Sequence, residues 1–214
     1  MPVLFRPARA EDVDAAVTLI LSSGPEAFAY VFAVPGRAGP ADFLARAFRD
    51  GAGEFGWRNH VVAECDGRVV AAGAGWSGRV GFAFMLAAAR QILGLYGPLA
   101  GAGVIGRGLR CERVIPPPSR SVFYLAHLGV AADRRGEGIG AGLIAHLLAA
   151  ARAGGFATAA LDVSVANKRA EALYARLGFT VTGERRSTLR NAQGSVAGHR
   201  RMERVLSGGA PQNR

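Results

Sequence analysis

Lysine is almost missing from this 214-residue chain: Lys168 is the single lysine among 26 basic residues, and the rest are arginine. Cysteine is scarce too. Cys65 and Cys111 form no CxxC pair and no disulfide framework, which fits a reducing compartment and two incidental or packed thiols. Long apolar runs are lacking: the nearest, from Val80 to Ile105, is broken by Arg90, Gln91 and the Gly97-Pro98 pair, and so predicts no membrane-spanning helix. The first residues carry Arg6, Arg9, Glu11 and Asp12 in place of the apolar core of a signal peptide. The expectation is a cytoplasmic protein with no membrane partner. Aromatic residues make up 8%, and none interleaves with the C-terminal arginine cluster of Arg185, Arg186, Arg190, Arg200, Arg201 and Arg204. Base stacking would need such interleaving, so the net charge of +10 reads as a field that attracts anionic ligands, and nucleic acid is not the expected partner. His60, His146 and His199 have no metal-ligand spacing, and no metal is expected.

What is present is a large apolar share, 50%, in a chain sized for one α/β domain with an insertion. Val3 to Pro7 reads as a strand. A helix with acidic residues in its first turn follows from Ala10, with Val13, Ala16, Val17 and Ile20 at helical spacing. A second helical region breaks at Pro35 to Pro40 and resumes over Asp42 to Arg49. His60 to Glu64 and Arg68 to Ala74 form a hairpin around Asp66-Gly67. Residues Gly78 to Ser119 are read as an inserted segment, with a helix over Phe82 to Leu95, a glycine-rich stretch to Gly108 and a triple proline at Pro116 to Pro118; it forms a lid, a substrate wall or a partner surface. Val122 to Val130 is a buried strand. A helix over Ala141 to Ala153 and a strand over Ala159 to Val163 come next. A helix over Lys168 to Leu177 follows, capped by Asn167 and stopped by Gly178, then a hairpin of Phe179 to Arg185 with Val196 to Leu206. The domain is placed at 1–206, and the eight residues from Ser207 are expected to be disordered.

The most informative segment joins the fourth strand to its helix: Val-Ala-Ala-Asp-Arg-Arg-Gly-Glu-Gly-Ile-Gly, Val130 to Gly140. Glycines at 136, 138 and 140 let backbone N–H groups approach a ligand at a helix N-terminus, where the dipole favours a phosphate, and Arg134 and Arg135 add charge at the lip. A nucleoside-triphosphate loop needs Gly-Lys-Ser/Thr, but here Gly140-Ala141-Gly142 follows. A dinucleotide fingerprint fits as letters, yet it lies off a late strand, and Asp162 is 26 positions beyond Gly136.

The run Leu128 to Gly140 resembles the acyl-CoA signature of the GNAT N-acetyltransferase superfamily, Arg/Gln-x-x-Gly-x-Gly/Ala, in Arg135, Gly138 and Gly140. The second half of that signature is present as Asn167, Ala170, Leu173, Tyr174, Gly178 and Phe179. The resemblance implies an α/β (α+β) GNAT fold: a mixed central sheet whose fourth and fifth strands splay apart, flanked by helices, with the Gly78 to Ser119 insertion added. It implies that backbone groups of Leu128 and Val130 bind pantetheine and the thioester. The N–H groups of Arg135, Gly136, Glu137, Gly138, Ile139, Gly140 and Ala141 would hold the pyrophosphate, with Asn167 nearby.

The same resemblance implies acetyl-CoA as acyl donor and Tyr174 as the acid that protonates departing thiolate. The base is open between Asp162, His127 and Glu64. Asp162, five residues before Asn167, resembles the base position of ribosomal-protein alanine N-acetyltransferases. His127 lies beside the thioester site with a usable pKa, and Glu64 sits on the preceding hairpin. Structural roles compete with each: a polar tie between strands for Asp162, a core histidine for His127, a solvated strand residue for Glu64, core packing for Tyr174 and a helix cap for Asn167. The expected activity is acetyl transfer to a primary amine of a small molecule or peptide by direct attack, since no nucleophile with a partnered base is visible. The alternative is a non-catalytic acyl-CoA-binding module acting as a sensor or assembly partner. The resemblance leaves room for a homodimer.

Overall fold

The computed structural model describes residues 2–206, so the expected tail from Ser207 lies outside the described residues. The chain runs β1 (Leu4–Pro7), α1 (Val13–Ser22), α2 (Pro25–Phe32), α3 (Pro40–Asp50), β2 (His60–Cys65), β3 (Arg68–Ser77) and α4 (Gly81–Cys111). It continues through β4 (Val122–Val130), α5 (Ile139–Ala153), β5 (Thr158–Ser164), α6 (Lys168–Arg176), β6 (Thr180–Arg185) and β7 (His199–Val205). Seven strands form one mixed sheet in the order β1-β2-β3-β4-β5-β7-β6. Asp66 and Gly67, both at positive φ (52° and 75°), make the tight turn that the Asp-Gly pair predicts between β2 and β3.

Alternation along the strands divides the core between the two faces of the sheet. Val62 and Ala72 face α1, α2, α3 and α4, where Phe43, Leu44, Phe48 and Tyr96 are fully buried. Their neighbours Ala63 and Ala71 face the other way, onto α5 and α6, and meet Leu143, Leu147, Leu161 and Met202. Among the described residues the single parallel pair is β4 with β5, the connection that needs a crossover helix, and α5 supplies it.

The inserted segment departs from expectation. The glycine-rich stretch after Leu95 is helical, so α4 extends to Cys111, with an interruption at Gly97 (φ 75°, ψ 172°) just before Pro98. Each interior glycine costs up to about 1 kcal/mol relative to alanine, and packing offsets it. Tyr96 is fully buried and its hydroxyl donates to the Phe32 carbonyl at 2.9 Å, while Gln91 donates to Asp50 at 3.1 Å and to the Ala52 carbonyl at 3.0 Å. The opposite face leaves Phe82, Met85, Leu86 and Leu99 exposed. By length and composition Gly78–Cys111 is long and apolar enough to cross a membrane, with mean hydropathy 1.4 and 22% of its most apolar window buried. Arg90 and Gln91 lie within the first arm and do not break it, whereas Gly97-Pro98 does interrupt the helix where the sequence places a break.

Candidate functional site

The turn before α5 is a candidate ligand cradle. Gly136 and Gly138 take positive φ, 95° and 81°, and a side-chain carbon at either would meet nothing within 4 Å. Gly138 is the N-cap of α5 and provides no side chain to satisfy the first-turn N–H groups, so these donors stay available. The lip carries less free charge than the sequence suggests. Arg134 is paired with Glu137, its Nε 3.0 Å from both carboxylate oxygens, while the Arg135 Nε donates to the Val130 carbonyl at 3.1 Å. The cradle therefore rests on backbone donors and the helix dipole. Gly138→Val should weaken CoA binding at least tenfold in a folded protein, since a β-branched residue at φ 81° must reshape the turn; calorimetric titration checks it.

Ahead of the turn the sheet opens. β4 and β5 pair at only three positions, Val122 with Thr158 through Tyr124 with Ala160, after which β5 follows β7 and β4 follows β3. On β4 the ladder also bulges. Ala72 opposes Gly129 and Ala74 opposes Ala126, so His127 and Leu128 together face the lone Gly73. The Leu128 backbone is thereby released from the register, and its side chain packs against the core beneath. Val130 stays in register with Ala71, and its carbonyl is engaged by Arg135.

The bulge holds His127 at φ 56°, a left-handed conformation that a non-glycine residue adopts only under constraint. Its ring stacks on Phe55 at 4.9 Å and lies against Trp76 at 5.6 Å. His127 Nδ1 is 3.3 Å from His60 Nε2, His60 Nδ1 is 2.9 Å from the Gly56 carbonyl, and His127 Nε2 is 3.3 Å from Glu54 Oε1. Burial, with the nearby His127 as a lesser cause, pushes His60 down from 6.5 to about 3. The unfolded chain therefore takes up a proton below pH 6.5 that the folded chain refuses until about 3. Stability is full above 6.5 and lost as pH falls, by up to about 1.4 kcal/mol per unit. Urea unfolding should show a loss of about 2 kcal/mol from this group between pH 7.5 and 5.

The other expected residues divide between site and scaffold. Tyr174 on α6 is mostly buried, its ring edge-on to Phe179; burial pushes its phenol up to about 12. Asn167 caps α6, accepting from the Ala170 N–H at 3.1 Å, so its oxygen is engaged while its amide N–H₂ remains. Asp162 is sealed into the sheet. Its Oδ2 lies 2.8 Å from both Arg201 and the Tyr124 hydroxyl, and its side chain is 1% exposed. That geometry is the polar tie between strands, not a base open to an amine. Glu64 is held by Arg6 at 2.7 Å, and Arg6 also binds Asp12 at the β1 side of the sheet. Among the described residues no cluster of three or more His, Cys, Asp or Glu is placed to hold a metal. Glu54, His60 and Glu112 come to the site without any sequence signal: Glu54 and His127 lie far apart in the chain, and only the loop after α3 joins them.

Comparison with known proteins agrees with this fold. The profile described as Acetyltransferase (GNAT) family matches residues 32–179. A 5-NmdU N-acetyltransferase of Pseudomonas phage PaMx11 is 40% identical over 78 residues, 36% of this chain and 52% of that one. N-acetyltransferase 8F1 of Rattus norvegicus is 35% identical over 74 residues, 35% of this chain and 34% of that one. The matched part spans about half or less of these relatives. Among solved structures, an N-acetyltransferase from Staphylococcus aureus Mu50 superposes with TM-score 0.71 at 17% identity, covering 94% of this chain and 99% of that one. The yncA acetyltransferase of Salmonella typhimurium, solved with its cofactor acetyl-CoA, superposes with TM-score 0.59 at 16% identity, covering 100% and 99%.

Proposed function

The chain belongs to the GNAT acetyltransferase family, and we propose that it transfers an acetyl group from acetyl-CoA to a primary amine by direct attack, without a covalent enzyme intermediate. The observation that carries this reading is the opening between β4 and β5, which leads from the bulge at His127 to the uncapped N-terminus of α5. Bound there, acetyl-CoA would supply an activated thioester. The backbone N–H groups from Gly136 through the first turn of α5 to Ala141 hold its pyrophosphate. The Leu128 backbone, off the β3 ladder, binds the pantetheine arm and the carbonyl oxygen on which charge develops. His127 accepts the proton that the amine must lose, and Tyr174 donates toward the departing sulfur. The acceptor is the amine of a small molecule or a peptide.

A ligand at a hundred times its dissociation constant stabilises by about 2.7 kcal/mol, which for a chain of this length raises the melting temperature by about 5–10 °C. Acetyl-CoA and CoA should give that shift, with NADH and ATP giving much less. Thiol release in an amine screen then reads the transfer itself. A clear shift with NADH and none with CoA would end the acyltransferase reading.

A further inference from the structure

The two imidazoles in the site are joined edge to edge. Their planes differ by 12° and their centroids are 5.4 Å apart, yet the facing nitrogens are only 3.3 Å apart, as in-plane hydrogen bonding requires. One end of this pair is anchored to a group that can only accept, the Gly56 carbonyl, so His60 carries its hydrogen on Nδ1. Gly56 packs directly on the backbone beside it, since a side-chain carbon there would lie 2.4 Å from the Gly51 carbonyl oxygen. His60 Nε2 is then a lone pair, and the hydrogen between the rings belongs to His127 Nδ1. In the neutral ring this leaves the basic lone pair of His127 on Nε2, the atom 3.3 Å from Glu54. A lone pair and a carboxylate that face each other need a proton between them. An ammonium group would provide it.

We propose that His60 is a positioning residue that fixes the His127 tautomer, and that Glu54 with His127 Nε2 forms a seat for the ammonium of a cationic acceptor. This rests on the acyltransferase reading and names its substrate class: a primary alkylammonium. The seat has the required surroundings. Phe28, Phe55 and Trp76 surround the His127 ring, aromatic faces that favour a cation. At the end of α4, Glu112 is pushed up by burial and then by the Glu54 charge; Cys111 is raised to about 11 by burial, Glu54 and Glu112. In a chain of net charge +10 this is a local concentration of negative charge. The ammonium gives one proton to His127 Nε2, and the imidazolium is held by Glu54 on one side and His60 on the other. The freed amine forms the C–N bond to the thioester carbon. As the C–S bond breaks, the Tyr174 hydroxyl donates a hydrogen bond to the sulfur, and the departing thiolate takes up the second proton that the nitrogen loses. The sum is ammonium plus thioester to amide, thiol and one proton released from His127.

Long-range proton–nitrogen spectra of histidine-labelled protein in alkaline buffer read the tautomers directly. The expected result is Nδ1–H for both His60 and His127, with His127 losing that single tautomer in His60→Phe. His60→Gln, whose side-chain oxygen can accept from Nδ1–H, should restore it, together with the parent pH–rate profile. His127 found as Nε2–H in the parent, or unchanged in a folded His60→Phe, overturns the positioning role. Phenethylammonium and putrescine should bind, and their affinity should fall at least about tenfold in Glu54→Gln while acetyl-CoA affinity holds. Binding by neither amine, or unchanged affinity in Glu54→Gln, overturns the seat. Acetyl-CoA binding on the same samples separates the cases: its loss in the parent refutes the acyltransferase reading, and its retention confines the failure to this inference.

Discussion

Tyr174→Phe should lower turnover about a hundredfold while leaving acetyl-CoA affinity nearly unchanged. The variant deletes one oxygen from a residue that is 9% exposed and keeps its ring, so little packing is lost. Burial holds the phenol neutral, pushed up to about 12, so it is a donor at every working pH. A CoA thiol of pKa about 8.5 cannot draw the proton fully from such a phenol. The hydroxyl therefore acts by hydrogen-bonding to sulfur as charge develops, which places the effect at the low end of the usual range of about 10² to 10⁴ for acid–base catalysis. Because that interaction exists only in the transition state, kcat should fall and acetyl-CoA binding should not. Full turnover by Tyr174→Phe, measured where chemistry limits the rate, would assign Tyr174 to the core alone.

Arg201→Met should destabilise the fold by about 3–5 kcal/mol, because it leaves a buried carboxylate without its counter-ion. Asp162 and Arg201 are register partners on β5 and β7, 2.8 Å apart, with side chains 1% and 13% exposed. The pair is incompletely satisfied: among the described residues Asp162 Oδ1 and Arg201 Nε have no hydrogen-bond partner. Arg201 also donates to the Pro116 carbonyl at 2.8 Å, so the pair ties the triple-proline loop to the sheet. Combining Arg201→Met with Asp162→Leu should recover much of the loss, since an apolar pair removes both desolvated charges. Urea unfolding of the two single variants and the double variant checks this. A loss below about 1 kcal/mol for Arg201→Met would show that water reaches the pair and that Asp162 is open enough to act on substrate.

Local chemistry left the clearest marks in the sequence. The Asp66-Gly67 turn, the glycine cradle ahead of α5 and the Asn167 cap appear where their residues predict, because each depends on backbone preferences within a few positions. The glycines after Gly97 misled for the same reason: their propensity is local, whereas the burial of Tyr96 and Val104 that keeps α4 helical is not.

By itself the sequence determined where the strands and every helix but α4 would form to within a few residues, that a glycine turn at Gly136 to Gly140 leads into a helix, and which family signature the chain carries. Only the tertiary structure shows what surrounds each of the three acidic and basic candidates. Asp162, Glu64 and His127 look alike as titratable residues on strands, and what separates them is what lies across from them: Arg201 for Asp162, Arg6 for Glu64, and His60 with Glu54 for His127. Those neighbours come from sheet register, from the bulge at His127 and from the loop after α3. Contacts between residues distant in the chain are set by packing of the whole fold, and no local spacing records them.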